Sequence, residues 1–586
     1  IKYNSIGSKS VKAQSDKAIS EESVLATGKW RKIRVQESGI YKITYSQLKE
    51  MGFKDLSNIN IYGNSDGVLP IDNKNFEDKD PKKNAIQYEL GDDNKFNKGD
   101  YVLFYAKSPH QWNYDEKTDF FYRNSHPYTD YNYYFITDSK GATKNINLGS
   151  QPSGNPSEII NDFVDFQHHE KNDKNLLLSG RLWVGERFDL QNQRSFSFDF
   201  PNLIAGSTVK FRTDFIGRSP LVSNFSVFYE GQLVENREIS SVNYNFTGDY
   251  AKKITVQDSF LSNKNPLELT LEYNKSSSSS MGWLDYITVN AQREMIMESE
   301  QMHFRIPKST NSELVEVQLE EAGNVETVWE VTDPGNVKEI EYTLTDENVL
   351  VFNTFKDTIR REFIAVTNNG HYNPKELGAV ENQNLHGLSN ADMVIVTKDE
   401  YLSHTKELAG LHEKHDKMRV NVVTDRQIYN EFSSGCPDPS AIRDFVKMVY
   451  QRSADSDSLK YLLLFGDGTY DNRECHTTDN LVTYQSKVSL NYSNSFVSDD
   501  FFGLLDQHDN TGGRLDGLID LGVGRIPVED AEEAQKAVRK IRYYMEFMDK
   551  GFWTNKLCFV ADDEDNNLHM RDADKLAEFV DENYPS

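Results

Sequence analysis

The pattern of hydrophobic and polar residues changes character along the chain. Between about residues 26 and 390, apolar residues alternate with polar ones in short runs, and Ser195–Phe200 and Leu267–Tyr273 are clear examples. Alternation with a period of two buries one face of a strand and leaves the other face to solvent. After Asn390 the strands become short continuous apolar runs separated by helical stretches, which is the pattern of a parallel sheet covered on both faces. We therefore predict β structure first and an α/β domain last.

These patterns divide the chain into segments. At 586 residues it is too long for one hydrophobic core, so several domains are expected on length alone. The predicted divisions are a tail at 1–25, a small mixed β domain at 26–150, a β-sandwich or jelly roll at 151–300, a small β domain with a linker at 301–390, and an incomplete α/β domain at 391–586. The linker itself is predicted at Asn368–Asn390, which is rich in Asn, His and Gly.

Five apolar runs are expected to form the strands of the α/β domain: Met393–Val396, Val420–Val423, Tyr461–Phe465, Leu518–Leu521 and Leu557–Val560. Helix signals lie between them, such as Asp438 before Pro439, where an N-cap residue precedes a proline at the first helical position. The helix predicted from about Leu568 to Asn583 has no strand after it. We therefore expect the sheet of this domain to be unfinished within the chain.

The charge of the chain excludes one class of partner. Lys and Arg number 65 against 92 Asp and Glu, which gives a formal net charge of -27 at pH 7. Nucleic acid is bound through clustered Lys and Arg, so a chain this acidic is not expected to bind it. No run of about 18 apolar residues occurs, so no helix is expected to cross a bilayer.

Acidic residues cluster after two of the predicted strands and in one loop. These are Gly466–Asp471, Ala561–Asp565 and the pair Asp499 and Asp500. Ligands of open α/β sheets bind at the carboxyl ends of the strands, so these carboxylates are candidate functional groups. Adjacent carboxylates repel one another unless they are solvated or bound to a cation, and calcium prefers oxygen ligands. The candidate calcium ligands are Asp562, Asp565, Asp499 and Asp500, with a solvated loop or a helix cap as the alternative.

None of the three cysteines has the sequence context of a nucleophile. A catalytic thiol needs an imidazole beside it and surroundings that favour the thiolate. Cys558 lies inside an apolar run and is expected in the core, whereas Cys436 lies in a loop that starts a helix. Cys475 adjoins His476, but neighbours in an extended chain point in opposite directions. So few cysteines also exclude a disulfide framework as the source of stability.

Five segments, in this order, resemble the gingipain-type cysteine peptidase family: Ala391–Thr397, Pro437–Phe445, Tyr461–Arg473, Asp520–Pro527 and Cys558–Asp565. The run Gly39–Leu48 also resembles the start of the family branch that processes C-terminal signals in the type IX secretion system. Together these matches span nearly the whole chain. The resemblance implies a partial caspase-like α/β domain with a mostly parallel sheet, placed behind N-terminal β domains.

The resemblance also implies an activity and a location. Members of this branch are signal peptidases and sortases that remove the C-terminal signal of exported proteins and attach those proteins to the cell surface, with an anionic lipopolysaccharide as the implied acceptor. They need no cofactor, and a β-barrel partner holds them at the outer membrane of a Gram-negative bacterium. The alternative, from a different class, is a non-catalytic adhesin, a carbohydrate-binding protein or a scaffold of the secretion machinery.

The family's catalytic residues are expected outside this chain. In the family the catalytic His lies in a Gly-His-Gly turn and the nucleophilic Cys follows a later strand, and no Gly-His-Gly occurs in the 586 residues. The full-length protein is therefore expected to be a cysteine peptidase and this chain alone to be inactive. The resemblance places the acid that orients the His at Asp563, with Glu564 as the alternative. The substrate-pocket acid of Arg-cutting members falls at Asp572 or Asp574.

Overall fold

The N-terminal unit is built from two small sheets, a separate two-stranded hairpin and one short helix. The computed structural model describes residues 19–245, 247–453, 458–473, 480–547, 551, 553 and 556–584. The unit contains β1 (Trp30–Val35), β2 (Gly39–Thr44), α1 (Tyr45–Glu50), β3 (Asn60–Tyr62), β4 (Lys83–Asn84), β5 (Ile86–Glu89), β6 (Tyr101–Ala106), β7 (Gln111–Asp115), β8 (Phe120–Asn124) and β9 (Asn132–Thr137). Thr44 and Gln47 form a capping box that starts α1 directly after β2. Apolar side chains of β1, β2, β6 and β9 share one core between the two sheets.

Two short strands lead from this unit to partners much later in the chain. They are β10 (Asn147–Gly149) and β11 (Glu158–Ile160). Residues 338–340 pair in parallel with β10, and residues 315–317 pair in parallel with β11. The segment between residues 161 and 294 is therefore an insertion within a larger β unit.

The inserted segment is a sandwich of two antiparallel sheets. Its strands are β12 (Asp162–Glu170), β13 (Arg187–Phe188), β14 (Gln193–Phe198), β15 (Ser207–Arg218), β16 (Ser223–Tyr229), β17 (Gln232–Ile239), β18 (Lys252–Ser262), β19 (Leu267–Asn274) and β20 (Met281–Glu294). The sheet orders are β12-β20-β15-β18 and β14-β19-β16-β17. Alternate residues of β19, from Leu267 to Tyr273, are fully buried between the sheets. The alternating pattern in the sequence predicts this arrangement, and the fold class is confirmed.

The third β unit surrounds the insertion. It consists of β21 (Gln301–Arg305), β22 (Glu313–Leu319), β23 (Val325–Glu330), β24 (Lys338–Ile340), β25 (Thr343–Leu344), β26 (Leu350–Lys356), β27 (Glu362–Thr367) and β28 (Lys375–Val380). Here the structure differs from the predicted linker Asn368–Asn390, because this segment contains β28. That strand pairs antiparallel with β1, from Trp30 opposite Val380 to Arg34 opposite Lys375. The hydrogen bonds of the pair account for regular structure in a segment whose composition favours a loop.

The last unit is an α/β domain around a parallel sheet. Its elements are β29 (Met393–Thr397), α2 (Leu402–His415), β30 (Val420–Thr424), α3 (Asp425–Phe432), α4 (Pro439–Arg452), β31 (Tyr461–Phe465), β32 (Tyr484–Gln485), β33 (Val497–Ser498), β34 (Gly522–Ile526), α5 (Ala531–Arg542) and α6 (Glu564–Asn583). The sheet order is β30-β29-β31-β34 and all its pairs are parallel. One core lies between the sheet and α3 and α4, and another lies between the sheet and α2 and α5.

Two of the five predicted strands of this domain are wrong. The fourth strand is Gly522–Ile526 and not Leu518–Leu521, because the backbone of Asp520 donates to Gly503 O and not to a neighbouring strand. The run Leu557–Val560 pairs with no strand in the described residues, and Leu557 and Val560 are 67% and 91% exposed. An apolar run becomes a strand only where a neighbour takes its hydrogen bonds, and this run has none. No helix in the described part of the chain has the length and apolar character needed to cross a membrane.

Candidate functional site

The carboxyl ends of the four parallel strands meet at one edge of the sheet. Thr397 ends β29 and donates its hydroxyl to Phe465 O at the end of β31, at 3.1 Å. The next residue, Lys398, places its Nζ 2.9 Å from Oδ2 of Asp425, the first residue after β30. Burial raises the pKa of Asp425, and Lys398 opposes that shift. A buried ion pair therefore fills the strand ends on the β29 and β30 side of the edge.

Arg525, near the end of β34, joins two loops on the other side of the edge. Its guanidinium binds the carboxylate of Asp499 through two nitrogens, with Nε 2.8 Å from Oδ2 and Nη2 2.7 Å from Oδ1. The remaining nitrogen, Nη1, donates to Gly466 O at 3.1 Å and is 3.3 Å from Asp467 O. Bidentate pairs of this kind are among the stronger hydrogen-bonded contacts in proteins. Arg525 thus holds the loop after β31 in a fixed position.

The loop after β31, residues 466–472, is held in place by several hydrogen bonds and is called the platform below. Gly466 begins it with φ of +150°, and its N–H donates to Ile526 O at 3.0 Å. A Cβ on Gly468 would lie 2.7 Å from Cγ2 of Thr483, so the close approach of the two segments requires glycine there. Asn472 closes the platform by accepting from Thr483 N at 3.0 Å and donating to Thr483 O at 2.7 Å.

A loop of the β-sandwich lies against this platform. Arg181 donates from Nε to Gln485 O at 2.7 Å and from Nη2 to Gly513 O at 3.1 Å. Two residues later, the ring of Trp183 lies nearly parallel to that of Tyr470, with centroids 6.0 Å apart and planes 17° apart. Tyr470 belongs to the platform, so an aromatic pair from two domains stands at the strand-end edge. Nothing in the sequence signals this contact, because the partners are more than 280 residues apart.

The candidate acids near the C-terminus lie on an exposed segment. Asp563 precedes the first residue of α6, and its side chain makes no capping hydrogen bond there. Because Leu557–Val560 is not part of the sheet, the expectation that Asp563 stands at the end of a parallel strand is wrong. Glu564 and Asp574 are also exposed, and Asp572 lies 3.2 Å from Lys575 Nζ. The roles assigned to these four residues by the resemblance stay predictions.

The candidate calcium ligands are found in two different settings. Both carboxylate oxygens of Asp499 already accept from Arg525, so a guanidinium occupies the place that a cation would take. The N–H of Asp500 donates to Ser498 Oγ at 3.1 Å at the start of a short helical turn. Asp562 and Asp565 are exposed, and Asp565 Oδ2 lies 3.4 Å from Nε2 of His569. Calcium binding stays a prediction at both places.

The two described cysteines differ sharply in their surroundings. Cys436 is buried and its thiol lies 3.3 Å from Asn132 Oδ1. Burial raises the pKa of this thiol to about 12, which disfavours the thiolate that a nucleophile requires. Cys558 is exposed, so its predicted place in the core is wrong, and the cause is the unpaired run in which it stands. Cys475 and His476 lie outside the described residues.

One cluster of a histidine and carboxylates is formed by residues that no sequence motif marks. Asp80, His386 and Glu431 are the group that could hold a metal ion among the described residues, with ligand atoms within 4.8 Å of one another. Nδ1 of His386 lies 2.7 Å from Glu431 Oε2, and Nε2 lies 3.2 Å from Asp78 Oδ1. The partners are 45 and 308 residues from His386, so no local motif could reveal them.

The hydrogen bonds of this cluster indicate a buried group of paired charges and not a metal site. We call this group, formed by His386, Asp78, Asp80 and Glu431, the clasp. Glu431 already accepts from Gln383 Nε2 and Leu385 N at 2.8 Å each, and from His386 N at 3.0 Å. Both ring nitrogens of His386 face carboxylates, so both carry protons. Burial alone would lower the pKa of His386, but its hydrogen bonds to Asp78 and Glu431 raise it to about 9. No lone pair of the imidazole is free for a metal in this arrangement.

Comparison with known proteins finds a matching family model and similar solved structures. Residues 386–586 match the family model described as peptidase family C25. No curated protein sequence matches the chain. The crystal structure of dimeric latent PorU from Porphyromonas gingivalis is similar, with a TM-score of 0.78 and 28% identity over 92% of this chain and 52% of that one. The chain therefore spans about half the length of that protein.

Two carbohydrate-binding modules also match a fifth of the chain. The module CBM36 in complex with calcium and xylotriose has 10% identity and a TM-score of 0.13, covering 21% of this chain and 97% of that one. The C-terminal CBM6 of LamC from Zobellia galactanivorans has 14% identity and a TM-score of 0.14, covering 21% and 98%. Likeness at this level carries no argument about function.

Proposed function

We propose that this chain is the N-terminal part of a type IX secretion signal peptidase, because its residues 386–586 match the model of peptidase family C25 and its structure is similar to that of PorU. The full-length enzyme removes the C-terminal signals of exported proteins and, as a sortase, attaches those proteins to the cell surface. Its reaction is cysteine peptidase chemistry, in which a thiolate attacks the peptide carbonyl and an imidazole carries the proton.

The observation that carries this proposal is the extent of the likeness to PorU. The family model covers only residues 386–586, whereas the structural similarity covers 92% of the chain and so includes the β units. A peptidase domain on an unrelated set of β domains would match over the last third alone. The shared arrangement supports the signal-processing branch of the family over a family member with another substrate.

The reacting groups are proposed to come from the part of the full-length protein that corresponds to the rest of PorU. This chain matches 52% of that protein. Of the two described cysteines, Cys436 is buried with a disfavoured thiolate and Cys558 stands on an exposed unpaired run. In the full-length enzyme Asp563, or alternatively Glu564, orients the catalytic His, and Asp572 or Asp574 contributes to the substrate pocket.

The proposal includes a place and partners. The full-length enzyme acts at the surface of a Gram-negative outer membrane, held there by a β-barrel protein of the secretion system. Its substrates are exported proteins with C-terminal signals, and an anionic lipopolysaccharide is the acceptor in the sortase reaction. These partners rest on the family likeness alone.

Cleavage of a purified substrate with a C-terminal signal tests the activity. We expect the full-length protein to cleave it and residues 1–586 to leave it intact. In the full-length protein Asp563→Asn should lower kcat by about 100-fold with the fold intact, because the His loses the anion that orients it. Asp562→Asn is the matched control and should not change kcat.

Two outcomes would contradict the assignment. Cleavage by residues 1–586 that disappears in Cys436→Ala or Cys475→Ala would place the nucleophile inside this chain. Unchanged turnover in Asp563→Asn together with lost turnover in Glu564→Gln would move the orienting role to Glu564. Failure of the intact full-length protein to process any such substrate would reject the peptidase function itself.

A further inference from the structure

A cavity of about 630 Å³ lies where the three β units meet. Its walls come from the N-terminal unit, from the start and end of the sandwich, and from β21 with its neighbours. None of the lining residues belongs to the domain at 386–586, so the cavity is separate from the peptidase edge. Cavities of roughly 300–1,000 Å³ at domain junctions have the size and place of small-molecule sites.

Arg305 brings a buried charge to this cavity, and no carboxylate hydrogen-bonds it in the described part of the chain. Its residue is only 6% exposed, and of its three guanidinium nitrogens Nη1 donates to Val164 O at 2.6 Å. Nε is buried without a hydrogen-bond partner. The guanidinium lies 4.2 Å from the ring centroid of Phe166. In the part of the chain that the structure describes, no carboxylate forms an ion pair with Arg305. A charge removed from water in this way calls for a compensating anion.

Two of the acids in the walls are already committed to other cations. Asp165 accepts from Nη1 of Arg293 at 2.5 Å. Asp130 lies 3.3 Å from Nε2 of His110. Burial lowers the pKa of Arg305 and the charges of Asp165 and Glu362 oppose that shift, but neither carboxylate hydrogen-bonds its guanidinium in the described part of the chain.

The uncommitted charges in the walls favour an anion. Three cationic side chains line the cavity without a described ion pair, namely Lys107, Arg123 and Arg305. Two acidic side chains do so as well, Glu37 and Glu362, so unpaired cations outnumber unpaired acids among the described lining residues. Glu37 is exposed, so solvent screens its charge more than that of half-buried Glu362. An anion that enters the cavity therefore meets more unpaired positive than negative side chains among the described lining residues.

The aromatic side chains of the walls offer contacts to an organic body. Trp112 and Tyr372 line the cavity, and so does Tyr105, whose hydroxyl lies 3.2 Å from His303 Nε2. Burial lowers the pKa of His303 to about 3, so this imidazole is neutral and acts as a hydrogen-bonding group. Flat apolar surfaces beside a few fixed polar groups are typical of sites for small organic ligands.

We propose that this cavity binds a small organic anion, with Arg305 taking its carboxylate or phosphate group and the aromatic walls taking its organic body. The planar guanidinium fork suits both oxyanions. The site does not depend on the peptidase assignment, because no residue of that domain lines it.

Calorimetric titration of the purified chain with three related probes tests the proposal. D-glucuronate supplies a carboxylate, glucose 6-phosphate supplies a phosphate, and D-glucose supplies the same ring without a charge. We expect one or both charged probes to bind and glucose not to bind, and the stronger charged probe identifies the oxyanion. Absence of binding by both charged probes, or equal binding of all three, would overturn the proposal.

Three variants locate the binding. Arg305→Gln should weaken the charged probe by about tenfold or more, since hydrogen bonds to a charged group are lost. Arg360→Gln is the matched control. Arg360 also has a buried Nε without a partner and stacks on Tyr114 at 3.7 Å, but it does not line the cavity. Glu362→Gln should tighten binding about two- to fivefold, because it removes a repelling charge.

Glu362→Gln provides a second test in case Arg305→Gln does not fold. Melting curves establish which variants are folded before the titrations. If Arg305→Gln unfolds, the sign of the Glu362→Gln effect decides, and unchanged or weaker binding rejects the site. Equal losses in Arg305→Gln and Arg360→Gln would also reject it, because only the first residue faces the cavity.

Discussion

At the scale of single residues, His386 connects three parts of the chain that are far apart in sequence. Its imidazolium bridges Asp78 of the N-terminal unit and Glu431 of α3, and its carbonyl accepts from Arg452 of α4. The neighbouring Asp80 accepts from the hydroxyl of Ser23, which belongs to the segment before β1. The clasp therefore attaches the segment before β1 to the α/β domain.

The raised pKa of His386 predicts a loss of stability at alkaline pH. The folded-state pKa of about 9 exceeds the ordinary 6.5, so the stabilisation is complete below about pH 6.5 and is lost as pH rises through 9. The shift corresponds to about 3 kcal/mol. We expect the melting temperature of the chain to fall between pH 7 and 10, and to fall less in His386→Gln. Parallel pH curves for the two proteins would show that the imidazolium does not hold the units together.

Asp80 adds a pH dependence of the same sign at lower pH, because its pKa is also raised in the folded state. Burial raises its pKa to about 6, so its protonated form is favoured in the folded state and its ionisation costs stability as pH rises from about 4 to 6. Stability should therefore be greatest on the acidic side of neutrality. Comparing Asp80→Asn with the unchanged chain over this range isolates the contribution.

The ion pair of Arg525 and Asp499 predicts how calcium acts at this edge. Asp499→Asn should lower the free energy of unfolding by about 1–3 kcal/mol with and without calcium, because it weakens a bidentate pair with Arg525. Chemical unfolding in calcium and in chelator measures this. A calcium-dependent rise in stability that disappears in Asp499→Asn would instead make Asp499 a calcium ligand. Asp581→Asn, at an exposed acid of α6 that is not a candidate calcium ligand, is the control.

At the scale of elements, α4 depends on a cap that also binds another unit. Asp438 Oδ1 accepts from Ser440 N at 2.7 Å, and Oδ2 accepts from Leu69 N of the N-terminal unit at 2.9 Å. Pro439 occupies the first helical position, as its sequence context predicts. One carboxylate therefore both starts the helix and fixes the helix against the N-terminal unit.

The double role of Asp438 predicts a graded response to substitution. Asp438→Ser keeps the cap and loses the bond to Leu69, whereas Asp438→Ala loses both. We expect the alanine variant to lose about 2 kcal/mol or more of unfolding free energy and the serine variant about half as much. Denaturant titrations measure the two values. Equal losses would mean that the cap itself contributes little.

Local signals in the sequence account for the elements that were predicted well. Tyr461–Phe465 is β31 as predicted, and β29 and β30 extend the predicted runs by one residue each. These strands are continuous apolar runs between polar turns, so burial and sequence pattern agree. β34 has the sequence Gly-Val-Gly-Arg-Ile and is a strand only because β31 takes its hydrogen bonds. Propensity cannot predict a strand that tertiary pairing imposes.

Long-range contacts account for what the sequence could not predict at the site. Arg525 and Asp499 are 26 residues apart, and Trp183 meets Tyr470 from another unit. Neither pair has a fixed spacing or a motif that marks it. The acidic strand ends were recognisable as a region, because the carboxyl ends of parallel strands share one edge. The partners of each acid were not recognisable, because they depend on packing between units.

At the scale of the whole molecule, strand pairs between distant parts of the chain interlock the β units, so the units do not simply follow one another along the sequence. The sandwich is inserted between β11 and the strands of the third unit, and β28 returns to pair with β1. Pairings across more than 150 residues set these boundaries. A division of the chain by local pattern therefore finds the sandwich but cannot show that the third unit begins before it.

This interlocking predicts the order of proteolysis in the isolated chain. Trypsin should cut first in 556–584, where no residue of α6 is buried, and should spare Lys375 in β28. Timed digestion with mass spectrometry of the fragments measures the order. Early cleavage after Lys375, before the C-terminal segment is lost, would show that β28 is not stably paired with β1.

The pairing of β1 with β28 also decides how the molecule responds to a mechanical load. Trp30 stands opposite Val380, so the segment before β1 and the α/β domain after β28 leave the pair at the same end. A force that pulls these two parts in opposite directions acts on one end of the strand pair, so its hydrogen bonds break one after another from that end. A strand pair loaded from one end separates at low force. A pair pulled along the strand axis resists more, because all of its hydrogen bonds bear the force at once. The clasp at His386 and the hydrogen bond from Ser23 N to Asn384 Oδ1 join the same two parts of the chain, so they would bear tension between the segment before β1 and the α/β domain together with the strand pair.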